Sequence, residues 1–331
     1  MPEPAFIGYT CRMNEQFRRW NLETTEIWQI THSTLHWWQE QGRPLVGAFI
    51  EGSVAQHGKL LPGSDIDLCI VTPDDPDPAW FEERVVSPYT IEIYPLAQRT
   101  FDDLDWVLAQ PALPFNLCEG IVLSDPLHLI ANVQARLTPQ LCLQPFRHKR
   151  LATCFGQAQV AYRQARVALE ASNLAQARLQ ITIGLWNTIG MVCAFLCRCS
   201  TTRRGFVLLW QCASQWQRPD VIEQAKQALG GTQLTWQEVE ALTDQAAEMK
   251  ERARESILSL RDSAEAMQAA WPLLCTVVWE GSAAHRAPQA QQQVLTALHY
   301  ETPTQIAQRY RAASELTQSV WDIISPLPPT S

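Results

Sequence analysis

Residues 52–67 read Gly-Ser-Val-Ala-Gln-His-Gly-Lys-Leu-Leu-Pro-Gly-Ser-Asp-Ile-Asp. Two short apolar runs enclose this stretch, residues 45–50 before it and 68–71 after it. Both contain β-branched residues and stop at turn formers, so both predict buried strands. Side chains alternate along a strand. Asp65 and Asp67 therefore point to one face while Ile66 and Leu68 point to the other, with the two carboxylates about 7 Å apart along the strand. Such a pair can grip one cluster of cations. A Gly-Ser turn at the end of the first strand can bring backbone N–H groups close to phosphates. The combination points to metal-assisted chemistry on a polyphosphate. The competing reading is a hairpin with a solvated acidic edge, and a lone Asp-x-Asp would not separate the two.

A third carboxylate follows on the next β-favourable run, Tyr-Thr-Ile-Glu-Ile-Tyr at 89–94. Glu92 lies between Ile91 and Ile93, so it faces away from both. With those isoleucines in the core, Glu92 faces the cleft; otherwise it is a surface glutamate on an exposed sheet face.

Gly52, Ser53, Ser64, Asp65, Ile66, Asp67 and Leu68, in this order and spacing, resemble the nucleotidyltransferase superfamily that includes DNA polymerase beta. The style is that of the bacterial aminoglycoside and other small-molecule nucleotidyltransferases. The resemblance implies an α+β chain, with a polymerase beta-like domain built on a mixed sheet and an all-α domain after it. It implies Asp65, Asp67 and Glu92 as catalytic, Mg²⁺-holding residues, Glu92 serving as third ligand or as base for the incoming hydroxyl. Gly52, Ser53 and Ser64 would bind nucleotide. A cation from the run Arg147-His148-Lys149-Arg150 would reach the phosphates, with Lys149 favoured; a solvated basic face is the alternative. His57 and Lys59 are further cations in the loop. The implied substrates are a nucleoside triphosphate, ATP first, and a small-molecule hydroxyl acceptor, an aminoglycoside-like one among the candidates. Dimerisation is also within the resemblance.

A second, weaker match is Cys-Glu-Gly-Ile-Val-Leu-Ser-Asp-Pro at 118–126, which resembles the family's last catalytic-domain strand. It leaves Glu119 and Asp125 as minor candidates for a base. Residues 202–231 resemble the helical half of the small-molecule enzymes. Two other readings stay open. One is a nucleotidyltransferase that modifies a protein or tRNA in a toxin–antitoxin or signalling role. The other is a nucleotide-binding scaffold without catalysis.

The 331 residues suffice for two domains. With 26 Lys and Arg against 34 Asp and Glu, the formal charge is −8, which argues against sequence-independent duplex binding. The ten cysteines show no zinc spacing and suggest a reducing cytoplasm. Cys193, Cys197 and Cys199 read as small core residues. The first ten residues lack a signal-peptide pattern, and the apolar stretch 185–197 is too short to span a membrane. Thirteen tryptophans could build a stacking pocket, although tryptophan more often fills core space.

The domain reading is an extension at 1–22, a nucleotidyltransferase domain at 23–140 and a helical domain at 141–331. The catalytic domain opens on a helix over 23–41, followed by strand, Gly-Ser loop, strand and a third strand. A short helix over 100–110, capped by Thr100, comes before the strand at 118–126. From about Phe146, Ala, Gln, Leu and Arg dominate and strand signals vanish. Helices are expected at 147–169, 174–197, 206–215, 219–229, 235–261, 264–275 and 304–324, with Ser172-Asn173 as break and cap between the first two.

Overall fold

A computed structural model describes residues 26–58, 60, 64–199, 204–230, 234–247, 253–262, 264–284 and 288–326. The extension expected at 1–22, Lys59, the His57 side chain and the tail from 327 lie outside the described residues. The chain is an α+β protein, with a five-stranded mixed sheet in its N-terminal part and helices through its C-terminal part. It divides into two compact units. The first comprises Met1–Val107 and Phe115–Thr138; the second comprises Leu108–Pro114 and Pro139–Ser331.

In the first unit, α1 (Glu26–Glu40) leads to β1 (Gly47–Glu51), α2 (Gly52–His57) and β2 (Ile66–Thr72). A hairpin of β3 (Glu82–Val86) and β4 (Tyr89–Ala97) follows. The chain then runs through α3 (Leu104–Ala109) and α4 (Leu113–Glu119), each shared between the two units, to β5 (Ile121–Ser124) and α5 (Leu129–Leu137) of the first. The sheet order is β3-β4-β2-β1-β5. β2 and β4 run parallel; the other neighbours run antiparallel. One sheet face is apolar. Ala48, Ile50, Ile66, Leu68, Ile70, Ile91 and Ile93 are buried there with Ile27, Leu35 and Trp38 of α1. Trp38 also donates its indole N–H to the Pro44 carbonyl at 3.0 Å, which ties the end of α1 to the entry of β1.

Several local expectations change. The Gly-Ser stretch is a short helix, not a loop: Gly52 takes the left-handed φ of +67° and turns the chain straight from strand into helix. The strand β3 was not expected. Its sequence, Glu-Glu-Arg-Val-Val, has no apolar face, because an edge strand beside only β4 need not bury one. In the short helix near residue 100 the cap is Asp103, whose carboxylate accepts from the Trp106 N–H at 2.9 Å, not Thr100.

The second unit is helical: α6 (Gln144–Glu170), α7 (Leu174–Phe195), α8 (Gly205–Gln215), α9 (Pro219–Ala228), α10 (Trp236–Ala247), α11 (Ala253–Leu258), α12 (Ala270–Ala284), α13 (Pro288–Ala297) and α14 (Pro303–Ile324). The single helix expected at 235–261 is represented by two, and α13 was not anticipated because its Gln-rich sequence gives little apolar stripe. Asn173 caps α7 as its position suggested, accepting from the Gln176 N–H at 3.2 Å. α6 and α7 pack along each other through small residues, Ala158, Ala161, Ala165 and Ala177. Gly184 makes room for the Tyr162 ring, since a Cβ there would lie 2.3 Å from it.

The cysteines depart from the all-thiol reading. Cys142 and Cys197 form a disulfide with their Cα atoms 5.7 Å apart, joining the approach to α6 to the end of α7 across 55 residues of sequence. Cys193 is a buried core thiol as expected. Among the described residues no helix is long and apolar enough to cross a membrane.

Candidate active site

The polar face of the sheet carries one row of acidic residues. Register places Glu83 of β3 opposite Glu92 of β4, Glu92 opposite Asp67 of β2, and Asp67 opposite Glu51 of β1. Residues paired across neighbouring strands project from the same face, so four carboxylates line up across four strands. The alternation that sends them there is anchored by complete burial of Ile50, Ile66, Leu68 and Ile91 on the opposite face. A one-residue slip would move every one of these acids into the core.

Asp67 and Glu92 thus stand side by side on parallel strands, roughly 5 Å apart by the usual strand spacing. Ser64 and Asp65 form the half-buried lead-in to β2. Gly52 lies against this row. A Cβ at residue 52 would come within 1.9 Å of Asp67 Oδ2, so glycine is required both for the positive φ and for the close approach of the carboxylate. Ser53, the next residue, has its hydroxyl oxygen buried with no hydrogen-bond partner among the described residues.

Tyr94 follows Glu92 by two residues and shares its face. Its hydroxyl donates to Glu92 Oε2. Burial first, then the negative charge of Glu92 and the hydrogen bond to it, with Asp67 and Asp65 adding less, push the Tyr94 phenol far above its ordinary pKa. The fields of all three sequence-predicted carboxylates therefore converge at one hydroxyl, which stays protonated and remains a donor.

Glu51 is a site residue that the sequence reading passed over. Burial raises its pKa to about 7, opposed by a hydrogen bond from Asn116 on α4. Its charge in turn raises the pKa of Cys69, whose thiol is held up mainly by burial. The available signal was its place directly before Gly52, two residues after Phe49 in an alternating strand. In isolation it reads as the polar end of an apolar run.

The remaining candidates lie on other elements. Lys149 belongs to the second unit, on α6, where its ammonium lies 5.1 Å from the centre of the Phe146 ring. Arg150, in the same basic run, is fully buried and donates to the carbonyls of Leu108 at 2.8 Å and of Leu141. It is a structural clamp within that unit. Asp125 accepts from the Ala131 N–H at 2.9 Å and serves the turn into α5. Glu119 ends α4 outside the row.

Among the described residues no group of three or more His, Cys, Asp or Glu side chains is already placed to hold a metal ion. The donor set is nonetheless of the hard, all-oxygen kind that Mg²⁺ prefers. Mg²⁺ is commonly held by one or two carboxylates and completed by substrate phosphates, so a closed protein cage is not required.

No protein-family model matches the chain, and no curated protein does. Among solved structures, a nucleotidyltransferase-like protein from Exiguobacterium sibiricum is similar at 12% identity and a TM-score of 0.31, over 81% of this chain and 80% of that one. A likeness of that size decides neither fold nor activity, and the chemistry rests on the residues themselves.

Proposed function

We infer that the sheet unit carries out metal-dependent nucleotidyl transfer from a nucleoside triphosphate, ATP first, to the hydroxyl of a small-molecule acceptor. The observation that supports this most is the fit of Gly52 against Asp67, with Glu92 registered beside it. A glycine that can carry no Cβ, a serine hydroxyl without a partner among the described residues and adjacent carboxylates suit a phosphate chain lying across the row.

In such a transfer the acceptor oxygen forms a bond to the α-phosphorus, and the bond from that phosphorus to the bridging oxygen of pyrophosphate breaks. The acceptor proton passes to a base, and pyrophosphate carries away the bonding electrons. Asp65 and Asp67 would hold Mg²⁺ together with substrate phosphates, with Glu92 as further ligand or as base, and the ion would supply neutralisation of the phosphate charge. Ser53 would donate its hydroxyl to a phosphate oxygen. Ser64 would support the approach to Asp65. Tyr94 donates its hydroxyl to Glu92, whose carboxylate would act as ligand or as proton acceptor.

Incubating the full chain with α-labelled ATP, GTP, CTP or UTP, Mg²⁺ and hydroxyl-bearing small molecules tests this directly. The expected result is label transferred to acceptor with one pyrophosphate released per transfer, abolished in Asp65→Asn. Labelled product formed equally well by that variant would refute the assignment.

A further inference from the structure

On the opposite face of the sheet from the acidic row, two arginines share one carboxylate. Arg84 of β3 pairs with Ile91 and so projects from the face that α1 covers. Its guanidinium carbon lies 3.4 Å from the centre of the Trp37 ring on α1. The Arg43 guanidinium carbon lies 5.0 Å from the same ring and 4.8 Å from that of Trp38. Glu82 is taken by Arg43 in an ion pair. Arg84 Nη1 is closed off from solvent and has no hydrogen-bond partner among the described residues. Burial does most to disfavour the charge of Arg84; Glu82 supports that charge, and Arg43 opposes it. Other arginines removed from water end on acceptors: Arg43 on Glu82, Arg150 on the Leu108 and Leu141 carbonyls, Arg178 on those of Tyr300 and Glu301. Arg84 ends on a ring.

A guanidinium is planar and weakly hydrated, so stacking on a tryptophan costs it little water and fixes its plane. Arg84 is half-buried, and with Nη1 sealed the fork of Nε and Nη2 is the edge left to a ligand. That fork matches the two oxygens of a carboxylate. The two arginines and Glu82 together leave one positive charge uncompensated, which a single carboxylate balances. A doubly charged phosphate suits the cluster less, because Glu82 stands within it and repels the second charge. We propose that Arg84, laid on Trp37 with Arg43 beside it, is a binding site for a small monocarboxylate. The carboxylate accepts two parallel N–H bonds from the Arg84 fork and screens the two guanidiniums from each other. This site is on the far side of the sheet from the acidic row and stands independently of the nucleotidyl-transfer reading.

Arginine side-chain ¹H–¹⁵N NMR on the full chain tests the site, with sodium acetate and inorganic phosphate as probes at constant ionic strength. The exposed Arg311 serves as internal reference. The Arg84 Nε–H signal should shift and saturate with acetate at a concentration about tenfold below that needed at Arg311, the scale of one charge-assisted hydrogen bond. Phosphate should bind Arg84 no more tightly than acetate does. Trp37→Leu removes the platform and leaves every charge in place, and it should raise the acetate half-point of Arg84 several-fold. Equal half-points at Arg84 and Arg311, an adventitious ion only, overturn the site. Phosphate binding tighter than acetate overturns the monocarboxylate assignment, and an unmoved half-point in folded Trp37→Leu overturns the role of the stack. The wild-type titrations need no variant, so they decide the site even where Trp37→Leu does not fold.

Discussion

In the helical unit, a set of buried hydroxyls meets partners that offset the cost of burying them. Tyr162 shares a hydrogen bond with Thr317 at 2.9 Å, Thr317 another with Thr188 at 2.6 Å, and Tyr300 donates to the Ala228 carbonyl at 2.6 Å. In the sheet unit, polar groups are instead crowded with their own kind: Glu83, Glu92, Asp67 and Glu51 stand in one row. Like charges directly opposite one another destabilise a sheet. The difference teaches which polar residues serve the fold and which burden it. A network of hydroxyls and carbonyls fixes how helices pack, while a line of carboxylates makes sense only through what it is built to receive.

The sharpest way to break this comparison is Asp67→Asn. It should lower nucleotidyl transfer by about three orders of magnitude or more, while thermal stability stays equal or rises because repulsion in the row is relieved. A stability loss comparable to that of a core mutation, with turnover intact, would place Asp67 among the structural groups.

Arg150→Met probes the opposite side. It strips donors from the carbonyls of Leu108 and Leu141 in a fully buried site. The expected loss is about 2–6 kcal/mol by denaturant unfolding, at one to three per orphaned buried group.

Glu51 gives the comparison a pH axis. Its pKa is raised by burial to about 7, above the unfolded value, so the folded state binds the proton more tightly. The stability associated with that proton is fully present below the unfolded carboxylate pKa and lost as pH rises through about 7. Glu51→Gln should therefore resemble the wild type near pH 4 and be the more stable protein at pH 8, by up to about 3 kcal/mol. Urea midpoints measured across that range decide it; a pH-independent difference would show that the charge of Glu51 is not what burial opposes.

The smallest effect is expected for Tyr162→Phe, about 1 kcal/mol of stability, because Thr188 and Thr317 retain their bond to each other. A larger loss would show the hydroxyl network acting as a cooperative unit.

By itself the sequence determined the two apolar runs, the alternation that puts Asp65 and Asp67 opposite Ile66 and Leu68, and the orientation of Glu92 between two buried isoleucines. It also determined the change of texture to helix near Phe146 and the cap at Asn173. These are local: a period of two residues and a side-chain cap are set by neighbours a few positions away. Only the tertiary structure decided that Asp67 sits between Glu92 and Glu51, that Gly52 is spared a Cβ by the Asp67 carboxylate, and that Tyr94 holds Glu92. It also paired Cys142 with Cys197, and it turned Arg150 inward, away from the exposed role its basic run suggested. Each of these depends on strand register or on contacts between residues far apart in the chain. No local pattern encodes such contacts, because they form only when the burial of the apolar face fixes which strands are neighbours and in what register.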